Sequence, residues 1–176
     1  LQSLKQYSIP FTGLKIGHYQ FDYDVNRSFF DEFEYSLIKD GKLKVKLDLE
    51  KQETLMILDF KIEGEIQLNC DKCLADFPNQ ISVTDRLIAK FSDNEDLGDT
   101  EEVMVIKKNE VEIDVSSFIY EVITLAAPYV SVCKEPGELS TCDQDMLKKL
   151  NDFLVEQDKN ELTDPRWDIL KNIKKN

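Results

Sequence analysis

The sequence predicts an α+β fold: a curved antiparallel sheet, able to close toward a barrel, packed by three or four helices. Three observations carry this reading. Residues 56–70 alternate between Met56, Leu58, Phe60, Ile62, Gly64, Ile66, Leu68 and Cys70 on one side and, from Asp59 onward, polar residues on the other. Strand side chains point alternately to opposite faces, so this run has one buried and one wet face. Further alternating runs precede and follow it, joined by short polar segments of the kind that link antiparallel neighbours. Between and after them the apolar spacing changes to a helical period. Six strands and helices over 28–39, 116–127 and 143–157 follow.

In chain order, residues 16–25 set Gly17, Tyr19, Phe21, Tyr23 and Val25 against His18, Gln20, Asp22 and Asp24. This is a strand with the chain's one histidine on its polar face. Ser28 introduces Phe29, Phe30, Phe33 and Leu37 at helical spacing, with Asp31 completing a capping signature and Asp40-Gly41 stopping the helix. Leu43, Val45, Leu47 and Leu49 alternate with Lys44, Lys46 and Asp48. The central run of 56–70 would extend about 50 Å as one ideal strand, so a bend or bulge is expected, and Gly64 suits it best. It ends in Cys70-Asp71-Lys72-Cys73, after which Ile81, Val83, Leu87, Ala89 and Phe91 form the returning strand, with Asp85 breaking its apolar face.

Residues 92–102 hold six acids and no base and are predicted to be a solvated loop. Short strands follow at 103–106 and 111–115. Phe118, Ile119, Val122, Ile123 and Ala126 then share one helix face, with Asp114 or Ser116 as cap, Glu121 facing water and Pro128 as the stop. Met146, Leu147, Leu150, Phe153 and Leu154 mark another helix. Asp164 as N-cap and Pro165 at the first helical position open a short final one. The chain is expected to be one domain over 1–176, with an acidic loop at 92–102 and a helical extension over 143–176.

Net charge is −13 over 176 residues. Residues 1–90 carry 12 Lys/Arg and 15 Asp/Glu, net −3, whereas 91–176 carry 10 and 20, net −10. Such a balance repels phosphate backbones and favours a basic protein partner. No apolar run approaches a membrane span and no signal-peptide pattern opens the chain, so a cytoplasmic protein without membrane contact is expected. The sequence has no P-loop, no G-x-G-x-x-G and no G-x-S-x-G. With a single histidine, an enzyme is not expected.

The cysteines form two pairs. Cys70 and Cys73 have the C-x-x-C spacing that a tetrahedral Zn²⁺ accepts, and Cys133 and Cys142, with eight residues between them, are a looser second pair. A structural zinc held by all four, disulfides and reduced buried thiols are the alternatives. Thioredoxin-type chemistry is disfavoured because no helix follows the C-x-x-C to lower a thiol pKa.

From Gly64 to Phe77, through Cys70-Asp-Lys-Cys-Leu, the chain resembles the YceD-like family of large ribosomal RNA subunit accumulation proteins. The likeness continues in the acidic loop, in Glu112-Ile113-Asp114 with a helix ending at Pro128, and in Asp164-Pro165-Arg166-Trp167-Asp168-Ile169-Leu170. It spans roughly residues 40–173. Where many relatives carry G-L-C-x-x-C-G after the helix, this chain has only Cys133 and Cys142. The resemblance implies a non-catalytic bacterial ribosome-biogenesis factor that supports accumulation of large-subunit ribosomal RNA. Together with the charge asymmetry it suggests binding of a basic ribosomal protein or of the assembling large subunit. Two alternatives stand beside this: direct ribosomal RNA binding through Lys42, Lys44 and Lys46 on one strand face, and a zinc- or redox-responsive regulator.

Overall fold

The computed structural model describes residues 4–92, 103–107, 109–133 and 142–153. The chain divides into two compact units, Leu1–Cys142 and Asp143–Asn176. In the first, a 3-10 turn at Leu4–Tyr7 leads into β1 (Ser8–Pro10), β2 (Gly17–Val25), α1 (Arg27–Phe30), β3 (Gly41–Lys51), β4 (Leu55–Asn69), β5 (Asp76–Phe91), β6 (Val103–Ile106), β7 (Glu112–Asp114) and α2 (Ser116–Ala126). The second contains α3 (Gln144–Phe153). No helix among the described residues is long and apolar enough to cross a membrane.

The main sheet has the order β2-β3-β4-β5-β6, and β1 pairs separately with β7. The β2 to β5 pairings are antiparallel, with short connections between β3 and β4 and between β4 and β5 and a longer one carrying α1 between β2 and β3. β6 departs from this pattern: it runs parallel to β5, Ile88 opposite Val103 and Phe91 opposite Ile106. Among the described residues β2 and β6 stand at the two ends of the order, so these strands do not close into a barrel. β1, a three-residue strand too short to show alternation, is held by Ile9 opposite Ile113 and by Val115 N–H donating to the Tyr7 carbonyl.

The predicted alternation packs the core. Leu43, Val45, Leu47 and Leu49 of β3 and Met56, Leu58, Phe60, Ile62, Ile66 and Leu68 of β4 are all buried. Fully burying each such side chain contributes on the order of 1.5–3 kcal/mol. α2 covers this face through Phe118, whose ring centroid lies 4.9 Å from that of Phe60, and Tyr120 stacks on Phe33 at 4.0 Å. Neither Asp114 nor Ser116 is the N-cap: Val115 holds that position without a side-chain cap bond, and Asp114 Oδ1 accepts from Ser116 N–H at 2.8 Å just ahead of the helix.

The helix expected over 28–39 is a single turn. Asn26 is its N-cap, accepting from Ser28 N–H at 3.0 Å. After Phe30 the chain proceeds by tight turns, Phe33 N–H to the Phe30 carbonyl and Ser36 N–H to that of Phe33. The helical phase is lost there, so Leu37 is 82% exposed while Ile38 is buried. Phe29 and Phe30 do enter the core, around Tyr7, whose hydroxyl donates to the Asp24 carbonyl at 2.9 Å. In α3, Met146 and Leu147 are half-buried and Leu150 and Phe153 exposed. The remainder of the predicted 143–157 helix, the residues Asp164 to Leu170 and most of the acidic loop lie outside the described residues.

Gly64 is not a bulge. The register passes through it without an inserted residue, Leu43 opposite Gly64 and Gly64 opposite Ile81. Its φ is +149°, a value that side-chain-bearing residues rarely adopt. A Cβ there would overlap the Lys42 carbonyl oxygen and sit 2.7 Å from the Leu43 Cα. Glycine therefore lets β3 and β4 approach closely here. Gly64→Ala is predicted to lower the unfolding free energy by about 2–4 kcal/mol through strain and overlap. Gly13→Ala, with nothing within 4 Å of the added carbon, should change it by less than about 0.5 kcal/mol. Urea denaturation of the two variants checks both values.

Candidate metal centre

The β4–β5 connection is a knuckle. Cys70 N–H donates to the Ala75 carbonyl and Leu74 N–H to the Cys70 carbonyl, both at 2.9 Å. Leu74 closes it at φ +61°, the one non-glycine residue with positive φ among the described residues. A left-handed leucine costs roughly 1–2 kcal/mol, so the surrounding bonds must hold this conformation. Folded this way, the knuckle turns the Cys70 and Cys73 side chains inward, and they are 0% and 2% exposed.

The second cysteine pair reaches the knuckle from behind α2. Pro128 follows the helix, and residues 129–133 run back beside β4's end. Asp71 grips this segment at both backbone groups of one residue: its N–H donates to the Ser131 carbonyl and its Oδ2 accepts from Ser131 N–H, each at 2.7 Å. Two residues on, Cys133 N–H donates to Cys70 Sγ at 3.4 Å. The Cys133 sulfur is 3.3 Å from that of Cys70 and 3.6 Å from that of Cys73. Cys142, half-buried, completes the group: all four sulfurs lie within 4.8 Å of one another.

This donor set fits one soft tetrahedral cation. A Zn–S bond of about 2.3 Å makes a tetrahedral S···S edge of about 3.8 Å; the separations of 3.3 and 3.6 Å lie a little below it, and all four sulfurs are within 4.8 Å of one another. They are too long for S–S bonds, and none of the four cysteines is in a disulfide here. The electrostatics agree. Desolvation pushes the Cys70 thiol up, but backbone N–H groups of Cys133, Cys73 and Lys72 outweigh it and bring it down to about 6. The thiol of Cys133 is pushed up, first by its hydrogen bond with Cys142 and then by burial. At Cys142 the hydrogen bond with Cys133 lowers the pKa, but the Cys73 hydrogen bond, desolvation and the nearby sulfur charges leave it raised. A divalent ion would offset the repulsion between thiolates held this close together.

The other predicted residues sit elsewhere. Lys42, Lys44 and Lys46 are on the exposed face of β3, but not as an isolated basic strip. Lys44 lies between Asp24 and Glu63 across the sheet, Lys46 between Asp22 and Lys61, and Lys42 opposite Glu65. His18 is on the exposed face of β2 and Glu121 on that of α2. Asp164, Pro165, Arg166 and Trp167 lie outside the described residues. Sequence reasoning missed Asp71, whose position inside C-x-x-C was the only clue that the knuckle carries its own latch. Asp71→Ala should destabilise the protein by about 1–2 kcal/mol through loss of a charge-assisted hydrogen bond. Asp71→Asn, which keeps an oxygen acceptor, should lose less than half of that; thermal melts of the two variants compare them.

Comparison with known proteins places this arrangement in context. Residues 58–174 match the family described as "Large ribosomal RNA subunit accumulation protein YceD". The match takes in β4 from Leu58 onward, the knuckle, β5, α2 and all four cysteines. A curated relative, "Uncharacterized protein YlbN" of Bacillus subtilis (strain 168), is 24% identical over 157 residues, which is 89% of this chain and 88% of the relative. No solved structure matches the chain. With about two thirds of its length, including the whole cysteine cluster, within the family's match, the chain belongs to the YceD family.

Proposed function

We propose that the chain is a non-catalytic, cytoplasmic ribosome-biogenesis factor that supports accumulation of large-subunit ribosomal RNA by binding a basic ribosomal protein. The family match over residues 58–174 carries the ribosomal part of this reading. The charge supports the choice of partner: net −13, with net −10 in residues 91–176. Long-range attraction of a basic protein follows from such an excess, and attraction of a phosphate backbone does not.

Direct RNA binding through Lys42, Lys44 and Lys46 has less support. A phosphate contact needs cations not already answered by acids, and the sheet sets an acid opposite each of these lysines. The cysteine cluster enters this reading as a structural element, a buried tetrathiolate Zn²⁺ site that ties the knuckle to the segment after α2. Three of its four cysteines are buried, which suits a structural role better than a reactive one.

The test is affinity purification of the full chain from its native host, identifying proteins and RNA together. Basic ribosomal proteins should be recovered at low salt, survive nuclease treatment, and be depleted at about 0.5 M salt, where the Debye length has shrunk to roughly 4 Å. Recovery of no ribosomal protein under either condition overturns the reading. Nuclease-sensitive recovery that Lys44→Glu abolishes would favour RNA contact instead.

A further inference from the structure

The four sulfurs do not enter the cluster on equal terms. Cys70 and Cys73 are placed by the knuckle between two paired strands, and Cys133 by its own N–H bond to Cys70 Sγ and by the Asp71–Ser131 bonds two residues earlier. These three are 0%, 2% and 5% exposed. Cys142 is the most accessible of the four and reaches the cluster across eight intervening residues. It also stands directly before Asp143, whose Oδ1 accepts from the N–H groups of Asp145 at 2.9 Å and Met146 at 3.1 Å to start α3.

We propose that Cys70, Cys73 and Cys133 form a ready-made three-sulfur face for Zn²⁺, and that Cys142 is its exchangeable fourth ligand, so that metal loading fixes the residue next to the Asp143 cap of α3. The inference rests on the cluster being a Zn²⁺ site. Three sulfurs held by sheet register and backbone bonds need little reorganisation to bind. Cys142, half-buried where the other three are buried, is the sulfur most open to solvent and to exchange. Ligand loss therefore starts at Cys142. The ion stays on the other three, while residue 142 and the cap of α3 that follows it are released together. Zn²⁺ occupancy and the order of the α3 cap become linked quantities.

The test uses the full chain purified without chelator. Wild type should carry one Zn²⁺ per chain, and Co²⁺ exchanged into it should show thiolate-to-metal absorption with the intense visible bands of a tetrahedral site. Cys142→Ser should still bind, with affinity reduced roughly tenfold to a hundredfold and a weakened thiolate band, as three protein ligands suffice to retain zinc. Cys73→Ser should lose far more.

A measurement on the unmutated protein guards against variants that fail to fold. N-ethylmaleimide added to the zinc-loaded chain should label Cys142 first. Its Sγ bonds to one alkene carbon, and the neighbouring carbon takes a proton from solvent. Zinc removal should speed hydrogen exchange at residues 143–147. If wild type binds zinc but all four cysteines label at one rate, or Cys142→Ser loses the metal as completely as Cys73→Ser, the ligand order is wrong and the zinc site stands. Wild type with neither zinc nor a Co²⁺ spectrum overturns both.

Discussion

The body of this protein depends on one central strand, β4, being paired on both sides. β3 covers it from Met56 to Ile66 and β5 from Leu55 to Asn69, with no break in either register. Its backbone polar groups are thereby answered within the sheet, and its even-numbered side chains are committed to the core. A slip of one residue would turn Asp59, Lys61, Glu63 and Glu65 inward in place of Leu58, Phe60, Ile62 and Ile66. Burying even one unpaired charge costs several kcal/mol, so the alternative register is strongly excluded. The close approach at Gly64 is the local condition for keeping this pairing along the whole strand.

The candidate metal centre is a consequence of that register more than of any loop. β4's phase decides that Cys70, in step with Ile66 and Leu68, arrives on the buried side at the end of the strand. The return of β5 from Asp76 decides where the knuckle must close, and Leu74 accepts a left-handed backbone so that it can. α2, docked on the same face through Phe118, directs residues 129–133 past the knuckle, where Asp71 takes hold of Ser131. Two segments about sixty residues apart thus meet sulfur to sulfur. Pro78 fits this geometry as well: it pairs with Gln67, at the end of β5 not joined to β6, where a missing N–H leaves no ladder bond unmade.

Much of this was legible in the sequence, and the failures have physical causes. The strands with strict alternation were readable because a period of two over nine or more residues is hard to produce by accident. The 28–39 helix failed because four apolar residues at helical spacing do not outweigh local turn bonding once Phe29 and Phe30 have found the core; Leu37 was then left outside. The parallel β6 and the tiny β1 depend on partners far away in sequence, which no local pattern encodes. At the site, Cys70 and Cys73 announced themselves by spacing. The meeting of Cys133 and Cys142 with them was legible only as an arithmetic of pairs, since the contact is made by tertiary packing.

The same register also disperses charge. Across the exposed face, Asp24, Lys44 and Glu63 form one row, Asp22, Lys46 and Lys61 the next, and Asp48, Asp59 and Arg86 a third. Arg86 Nε donates to Asp59 Oδ1 at 2.6 Å, and Lys61 Nζ lies 3.0 Å from Glu63. Exposed pairs of this kind add little stability, but they cancel one another's fields within about a Debye length. Cations and acids interleaved in this way give a partner no long-range signal of either sign. Most of the uncompensated negative charge, net −10, lies in residues 91–176, beyond β5. The uncompensated negative field therefore belongs mainly to the second half of the chain, while the sheet fixes the geometry that brings Cys133 to the knuckle.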